Sequence, residues 1–163
     1  MLHVLSPIRT VLRRASLTAG LLAGLLSGGS QPALASDGLN AAVPDGYQLS
    51  LLIYSTLTAL DQANTTGNYT VLRGLAAPDF QRLNAPQALA GVFAKYRERH
   101  VVLAPVMLYQ PKLLEPPLIG ADGLLHLKGF FPTLPLRIGF ELAYQWVGGT
   151  WRLITLSVTP SQA

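Results

Sequence analysis

The chain has 163 residues, contains no cysteine, and carries 12 Lys and Arg residues against 8 Asp and Glu residues. Without cysteine, disulfide bonds, thiolate metal sites and a cysteine nucleophile are excluded. Three of the twelve basic residues lie in the first 35 positions, which leaves nine basic against eight acidic residues in the remainder. This balanced charge offers no surface for tracking phosphates, so we do not expect nucleic acid as a partner.

The N-terminus has the three-part order of an export signal. Arg9, Arg13 and Arg14 are followed by a largely apolar stretch over residues 17–26 and then by Ala33-Leu34-Ala35. This order is typical of a secretory signal peptide. The apolar run is shorter than the roughly 20 residues that span a bilayer, which disfavours the alternative of an uncleaved anchor. We expect cleavage after Ala35, general secretion rather than twin-arginine export, and a periplasmic or secreted domain without stable membrane insertion.

Helical patterns come next along the chain. Residues 36–46 are small, polar and turn-forming, and we expect a disordered lead-in there. Apolar residues at helical spacing predict a first helix over 47–64, ended by Gly67 as its C-terminal cap. A second helix is predicted over 69–76 and broken by Pro78, and a third begins near Pro86.

Beyond His100 the pattern changes to strands. Alternating apolar residues between turn signals predict strands at 101–109, 112–119, 124–131, 136–147 and 151–159. Helices followed by a strand meander predict an α+β fold in which N-terminal helices pack on one face of an antiparallel sheet.

Two groups of residues carry a resemblance to a known family. The first is Ala59-Leu60-Asp61, Gly67-Asn68-Tyr69 and Pro78-Asp79-Phe80, and the second is Leu142-Ala143-Tyr144-Gln145 with Gly149-Thr150-Trp151-Arg152-Leu153. In these patterns residues 47–160 resemble the nuclear-transport-factor-2-like superfamily, which includes ketosteroid isomerases, and more narrowly its exported bacterial members. The resemblance implies a cone-shaped, cystatin-like α+β fold on a curved sheet, with any ligand or acid–base group held between helices and sheet.

An aromatic set is predicted to face that interior. Side chains alternate along 136–147, and a two-residue turn at Gly148-Gly149 pairs Trp146 with Trp151 and Tyr144 with Leu153. If the alternation continues along the last strand, a ligand pocket is lined by Tyr109, Phe140, Tyr144, Trp146 and Trp151, with Thr155 and Ser157 as orienting hydroxyls. The same pattern favours a hydrophobic core filled by these aromatic side chains, because aromatic residues dominate protein cores, and the lined pocket is the alternative to it.

Few residues are candidates for acid–base catalysis. Asp61, near the end of the first helix, and Tyr54 are the weak candidates, and the alternative is that both are ordinary hydrogen-bonding or core residues. His126 and Glu141 are predicted to form a polar pair across two strands on the outer face. No His spacing suits a metal ion and no glycine-rich loop suits a phosphate, so no metal or cofactor is expected.

An apolar patch is predicted on the outer face of the sheet. The same register directs Ile154, Leu156 and Val158 outward, next to Ala143. Such a patch usually marks a contact, and twofold association is the commonest way to bury it. We therefore expect a homodimer through the sheet, unless another segment of the chain covers the patch. The function that the sequence favours is an exported, non-catalytic domain that binds a small apolar ligand, with a small isomerase- or dehydratase-type enzyme as the alternative.

Overall fold

A computed structural model describes residues 41–162, and the predictions for residues 1–40, including the export signal, lie outside this range. The α+β class predicted from the sequence is confirmed. In chain order the elements are the helices α1 (Gly46–Thr66), α2 (Thr70–Leu75), α3 (Pro78–Leu83), α4 (Pro86–Val92) and α5 (Ala94–Glu98), a 3-10 helix (Ala104–Leu108), and the strands β1 (Lys112–Leu113), β2 (Leu118–Ile119), β3 (Leu124–Phe131), β4 (Leu136–Val147) and β5 (Thr150–Gln162).

The long helix α1 is bounded by a cap at each end. Asp45 Oδ1 accepts a hydrogen bond from Gln48 N–H at 2.8 Å, and Gly67 adopts a φ of 71° just past the last turn. These caps satisfy backbone groups that a helix otherwise leaves unpaired. The predicted first helix and its Gly67 cap are therefore confirmed. One face of α1 enters the core through Leu49, Ile53, Thr56, Leu57 and Leu60.

The short helices that follow depart from the prediction at two places. Pro78 starts a separate helix, α3, because a proline in the first turn has no hydrogen bond to lose. The third predicted helix is divided at Phe93 into α4 and α5. Arg73 joins α2 to α3, since its guanidinium donates to the carbonyls of Gln81 and Asn84 at 2.7–3.0 Å. After α1 the helical layer is thus a series of short segments, of which α2 and α3 are tied together by Arg73.

The strand predicted over residues 101–109 is wrong. Residues 104–108 form the 3-10 helix, with Pro105 in its first turn. Just before it, Asp61 Oδ1 on α1 accepts a hydrogen bond from Leu103 N–H at 2.7 Å. Proline cannot donate to a strand ladder, and its fixed φ suits the first turn of a helix. The conformation of this segment therefore depends on proline and on a side chain that lies 42 residues away along the chain.

The strands form one open, curved antiparallel sheet. Its order is β1-β3-β4-β5, and β2 also pairs with β3. The strand predicted over 112–119 consists of two short pairings with β3, separated by Pro116 and Pro117. Proline has no N–H for the ladder, which explains the interruption. The strands predicted over 124–131 and 136–147 are confirmed with the same bounds.

The turn between β4 and β5 has the predicted two-residue form. Gly148 and Gly149 have φ values of 55° and 81°. Two consecutive positive φ values are what a tight hairpin of this length requires, and glycine adopts them without a steric penalty. Trp146 pairs with Trp151, as the sequence predicted. The turn therefore fixes the register at the beginning of β5.

A β-bulge then changes the register farther along β5. Tyr144 pairs with Leu153 as predicted, but the preceding residue of β4, Ala143, pairs with Thr155. Ile154 is consequently an extra residue on β5. An inserted residue of this kind reverses the alternation of side chains beyond it, because the period of a strand is two.

The bulge corrects the predicted faces of the second half of β5. Leu156 and Val158, predicted to face outward, pair with core residues of β4 and are 7% and 5% exposed. Thr155 and Ser157, predicted to face the pocket, take the outer face instead. Burying an aliphatic side chain stabilises a fold by about 1.5–3 kcal/mol, so this arrangement is favoured over one that buries the two hydroxyls.

Helices and sheet share one hydrophobic core. The buried face of α1 packs with the inner residues of β3, β4 and β5 in a single cluster. A hydrogen bond also joins the helices to the sheet, since the Tyr96 hydroxyl of α5 donates to the carbonyl of Val158 on β5. Within residues 41–162, none of the helices combines the length and the apolarity needed to cross a membrane.

Candidate functional site

A cavity of about 290 Å³ lies between the helices and the turn end of the β4–β5 hairpin. Residues of α1 and α2 form one wall, and residues of β4 and the beginning of β5 form the other. Ala77 N–H donates to the carbonyl of Leu153 at 2.8 Å, which holds the α2–α3 connection against β5. The volume is at the low end of the range for small-molecule sites. The apolar lining consists of Leu52, Ala59, Leu72, Leu75, Trp151 and Leu153.

Two buried hydroxyl groups form the inner side of this cavity. Thr56 Oγ1 and the Tyr144 hydroxyl are 2.9 Å apart, and the Tyr144 hydroxyl donates to the carbonyl of Leu52 at 3.0 Å. Thr56 and Tyr144 are 7% and 2% exposed. Burial raises the pKa of Tyr144 far above its ordinary value, and the hydrogen bond with Thr56 offsets this only in part. The phenol is therefore neutral at physiological pH.

Thr56 was not among the predicted pocket residues, although the sequence contains a signal for it. It lies three residues after Ile53 and next to Leu57, on the stripe of α1 that enters the core. A hydroxyl on an apolar stripe needs a hydrogen-bond partner, because burying it without one costs free energy. Here the partner is Tyr144, 88 residues away along the chain, so the pairing is visible only in the folded molecule.

The structure brings two of the predicted aromatic residues to the cavity. Tyr144 and Trp151 line it, and Trp146 contacts Trp151 edge to face with ring centroids 5.2 Å apart. Phe140 is 2% exposed and packs within the core, and Tyr109 follows the 3-10 helix, away from the cavity lining. Of the predicted set, Tyr144 and Trp151 therefore line the cavity, Trp146 lies beside Trp151, and Phe140 belongs to the core.

The two hydroxyls predicted to orient a ligand, Thr155 and Ser157, lie across the sheet from the cavity because of the bulge. The same shift removes Leu156 and Val158 from the predicted outer patch. Ala143 remains on the outer face opposite Thr155, while Ile154 is the extra residue of the bulge. Ala143 is only 4% exposed, and Ile154 is partly buried and packs against the core cluster. The four predicted residues therefore do not form the exposed apolar patch that the sequence predicted. The homodimer stays a prediction, which sedimentation of the purified protein would test.

The weak catalytic candidates are bound to backbone groups outside the cavity. Asp61 accepts from Leu103 N–H at 2.7 Å, and the Tyr54 hydroxyl donates to the carbonyl of Tyr109 at 2.7 Å. Neither Asp61 nor Tyr54 lines the cavity. Their contacts tie α1 to the two ends of the 3-10 segment, which is the hydrogen-bonding role that the sequence left as the alternative.

The polar residues of the outer face pair differently from the prediction. Lys128 Nζ lies 2.8 Å from Glu141 Oε1, and this carboxylate raises the pKa of Lys128. His126 Nε2 lies 3.1 Å from Asp122 Oδ2 in the β2–β3 turn. The predicted partnership of His126 with Glu141 is therefore wrong, because the register places Lys128 opposite Glu141. Exposed pairs of this kind contribute little to stability.

A second cavity, of about 200 Å³, lies between the 3-10 segment and the β3–β4 turn. Its walls are mainly aliphatic, including Val101, Leu103, Leu134 and Ile138. Thr133 also lines it, but the Thr133 hydroxyl donates to the carbonyl of Leu136. The first cavity is the better candidate site because it combines apolar walls with a buried hydroxyl pair and an aromatic side chain.

In the described part of the chain, no three His, Asp or Glu side chains lie close enough together to bind a metal ion. Comparisons of the chain with protein-family models, curated proteins and solved structures find no match. The cavity of about 290 Å³ is therefore the feature of this protein that bears on its function.

Proposed function

We propose that this chain is an exported, non-catalytic domain of the nuclear-transport-factor-2-like type, and that it binds a small, largely apolar ligand in the cavity of about 290 Å³. The export assignment depends on the charged, apolar and small-residue order that ends at Ala35. The fold assignment depends on the order of helices before an antiparallel meander and on the resemblance at both ends of the domain.

One observation carries the binding function: the cavity has a neutral, buried hydroxyl pair and a largely apolar wall. Ligand sites combine apolar walls with a few polar groups that fix orientation. The rim is also apolar, since Leu75 of α2 is 59% exposed beside the cavity. An exposed leucine at the entrance of a cavity gives an apolar ligand further surface to cover.

The lining supports binding rather than catalysis. A general acid or base must reach the reacting atom, and it is most often a histidine or a carboxylate with a shifted pKa. Among the residues that line the cavity there is no Asp, Glu or His, and the one ionised side chain is Arg152. An isomerase- or dehydratase-type reaction would therefore have to depend on Tyr144. Its raised pKa keeps it protonated at physiological pH, so it is a weak acid there and has no phenolate to act as a base.

A cavity-filling substitution tests the proposal. Ala59 is 8% exposed and lines the cavity, so Ala59→Leu places extra methyl groups inside it. Ala88→Leu on the exposed surface of α4 is the matched control. We expect the purified protein to bind the apolar fluorophore Nile red, Ala88→Leu to bind it equally, and Ala59→Leu to bind it at least about tenfold more weakly.

Identifying the natural ligand requires a second experiment. Mass spectrometry of small molecules that co-purify with the protein from its native compartment would reveal a bound apolar compound. Equal dye binding by the Ala59→Leu and Ala88→Leu variants, with both folded by circular dichroism, would place the binding elsewhere and contradict the proposal.

A further inference from the structure

The backbone of β5 has an open position beside the first cavity. β5 is the last strand in the order of the sheet, so β4 covers one of its two edges. The carbonyl of Leu153 lies on the other edge, because it accepts a hydrogen bond from Ala77 N–H of the α2–α3 connection. Residues two apart on a strand direct their backbone groups to the same edge. The N–H and the carbonyl of Trp151 therefore point to the edge that carries the Leu153 carbonyl.

The geometry of the hairpin leads to the same assignment. In a two-residue hairpin the residues that flank the turn, here Val147 and Thr150, form a hydrogen-bonded pair. The next pair, Trp146 and Trp151, exchanges no backbone hydrogen bonds, because the two kinds of pair alternate. Within residues 41–162, no backbone group of the helices or loops bonds to the N–H or the carbonyl of Trp151. Trp151, which is partly exposed, thus presents one donor and one acceptor at the edge of the sheet.

Farther along β5 the same edge is protected. Ala77 N–H occupies the carbonyl of Leu153, and the Tyr96 hydroxyl donates to the carbonyl of Val158. Pro160 has no N–H to offer. Open strand edges pair readily with other chains, and proteins commonly cover them or place proline there. These contacts leave the position at Trp151 open, at the point where the cavity adjoins the strand.

The cavity lies where a residue paired with Trp151 would direct its side chain. The cavity is lined by Trp151 and Leu153 of β5 together with Leu52 of α1 and Leu72 of α2. Residues directly opposite each other in an antiparallel pair have their side chains on the same face of the sheet. A residue added opposite Trp151 would therefore place its side chain on the face of the Trp151 side chain, toward the cavity. A volume of about 290 Å³ with aliphatic walls suits one apolar side chain.

We propose that the ligand of this cavity is a short, extended peptide, which adds to the edge of β5 and inserts one aliphatic side chain between α1, α2 and the sheet. The N–H and the carbonyl of the inserted residue bond to the carbonyl and the N–H of Trp151. The added strand is antiparallel, because a single residue then meets both open groups. Main-chain hydrogen bonds supply affinity in such complexes, and the pocket selects the side chain. This inference deepens the proposed function and rests on it.

Two peptides of identical composition test the pairing. Both have the sequence acetyl-Ser-Ala-Leu-Ala-Ser-amide, with one N-methyl group either on the leucine or on the alanine that follows it. In the first, the N–H that should bond to Trp151 is missing, whereas in the second the missing N–H points away from β5, because backbone groups alternate along a strand. We expect the first peptide to bind at least about tenfold more weakly than the second, which should bind like the unmethylated peptide. Binding is followed by tryptophan fluorescence, since Trp151 lines the cavity.

Two further measurements locate the bound peptide. Ala59→Leu fills the cavity and should weaken binding of the unmethylated peptide at least about tenfold, whereas the surface control Ala88→Leu should leave it unchanged. Hydrogen exchange followed by nuclear magnetic resonance should show slower exchange of the Trp151 amide when the peptide is bound. A molecule that only fills the cavity, such as Nile red, should not slow this exchange.

The possible failures are distinguishable. If Nile red binds in the cavity but the unmethylated peptide does not, the strand addition is wrong while the proposed binding function stands. Equal or reversed affinities of the two methylated peptides also overturn it, as does a Trp151 amide that is already protected in the free protein because another segment or a second copy occupies the edge. If neither the dye nor the peptide binds, the proposed binding function fails, and the strand addition fails with it.

Discussion

Replacing Leu156 with alanine tests the β-bulge, which determines the face of every side chain in the second half of β5. Leu156 is 7% exposed and pairs with a core residue of β4, whereas its neighbour Thr155 is exposed on the outer face. A buried leucine truncated to alanine costs about 2–5 kcal/mol, because apolar burial is lost and a cavity remains. An exposed substitution away from special features changes stability by about 0.5 kcal/mol or less.

The assay is urea unfolding followed by tryptophan fluorescence. We expect Leu156→Ala to lower the free energy of unfolding by at least about 2 kcal/mol and Thr155→Ala to leave it nearly unchanged. Leu153→Ala is the control, because Leu153 lies before the bulge, is 5% exposed and faces the core in either register. A continuous alternation without the bulge predicts the opposite order for positions 155 and 156, so a larger loss for Thr155→Ala would refute the reasoning.

Three further predictions concern ionisation, the turn and export. Because burial raises the pKa of Tyr144 in the folded state, its contribution to stability is complete below about pH 10 and declines as the pH rises above the pKa of tyrosine in the unfolded chain. In urea unfolding at increasing alkaline pH, the free energy of unfolding should therefore fall less steeply for Tyr144→Phe than for the unmodified protein. An identical dependence on pH in the two proteins would contradict the burial argument. Gly149→Ala should lower the free energy of unfolding by about 1–2 kcal/mol, because Gly149 has a φ of 81° that alanine disfavours, whereas Gly148→Asn should leave it nearly unchanged. Equal losses for the two variants in thermal unfolding would argue against the turn geometry. N-terminal sequencing of exported protein should begin at Ser36, and a chain that still begins at Met1 would disprove cleavage after Ala35.

The hairpin illustrates what local patterns predict well. The alternation over 136–147 and the Gly148-Gly149 turn predicted the two strands, the Trp146–Trp151 pair and the inner face of β4, and the structure has all of them. These features depend on residues within a few positions of one another, because strand alternation and tight turns are properties of the local backbone. The same is true of α1 and its Gly67 cap.

The candidate site was only partly predictable for the same reason. Tyr144 and Trp151 were identified from their place on the hairpin, and both line the cavity. Thr56 was missed, because its importance comes from a partner 88 residues away. Asp61 is a weak catalytic candidate in the sequence, whereas in the structure its carboxylate accepts a hydrogen bond from Leu103 N–H. A carboxylate in a sequence does not reveal which distant donor it meets.

The α+β class, the long first helix, the hairpin turn and the balance of charge can all be predicted from composition and short-range periodicity. Three features instead depend on contacts between distant parts of the chain: the 3-10 segment after Leu103, the bulge at Ile154 and the hydroxyl pair at the inner side of the cavity. In each of these the local pattern permitted more than one conformation. The conformation that forms is the one that buries Leu156 and Val158 and satisfies hydrogen bonds with distant residues. These two effects depend on surfaces that exist only when helices and sheet have come together.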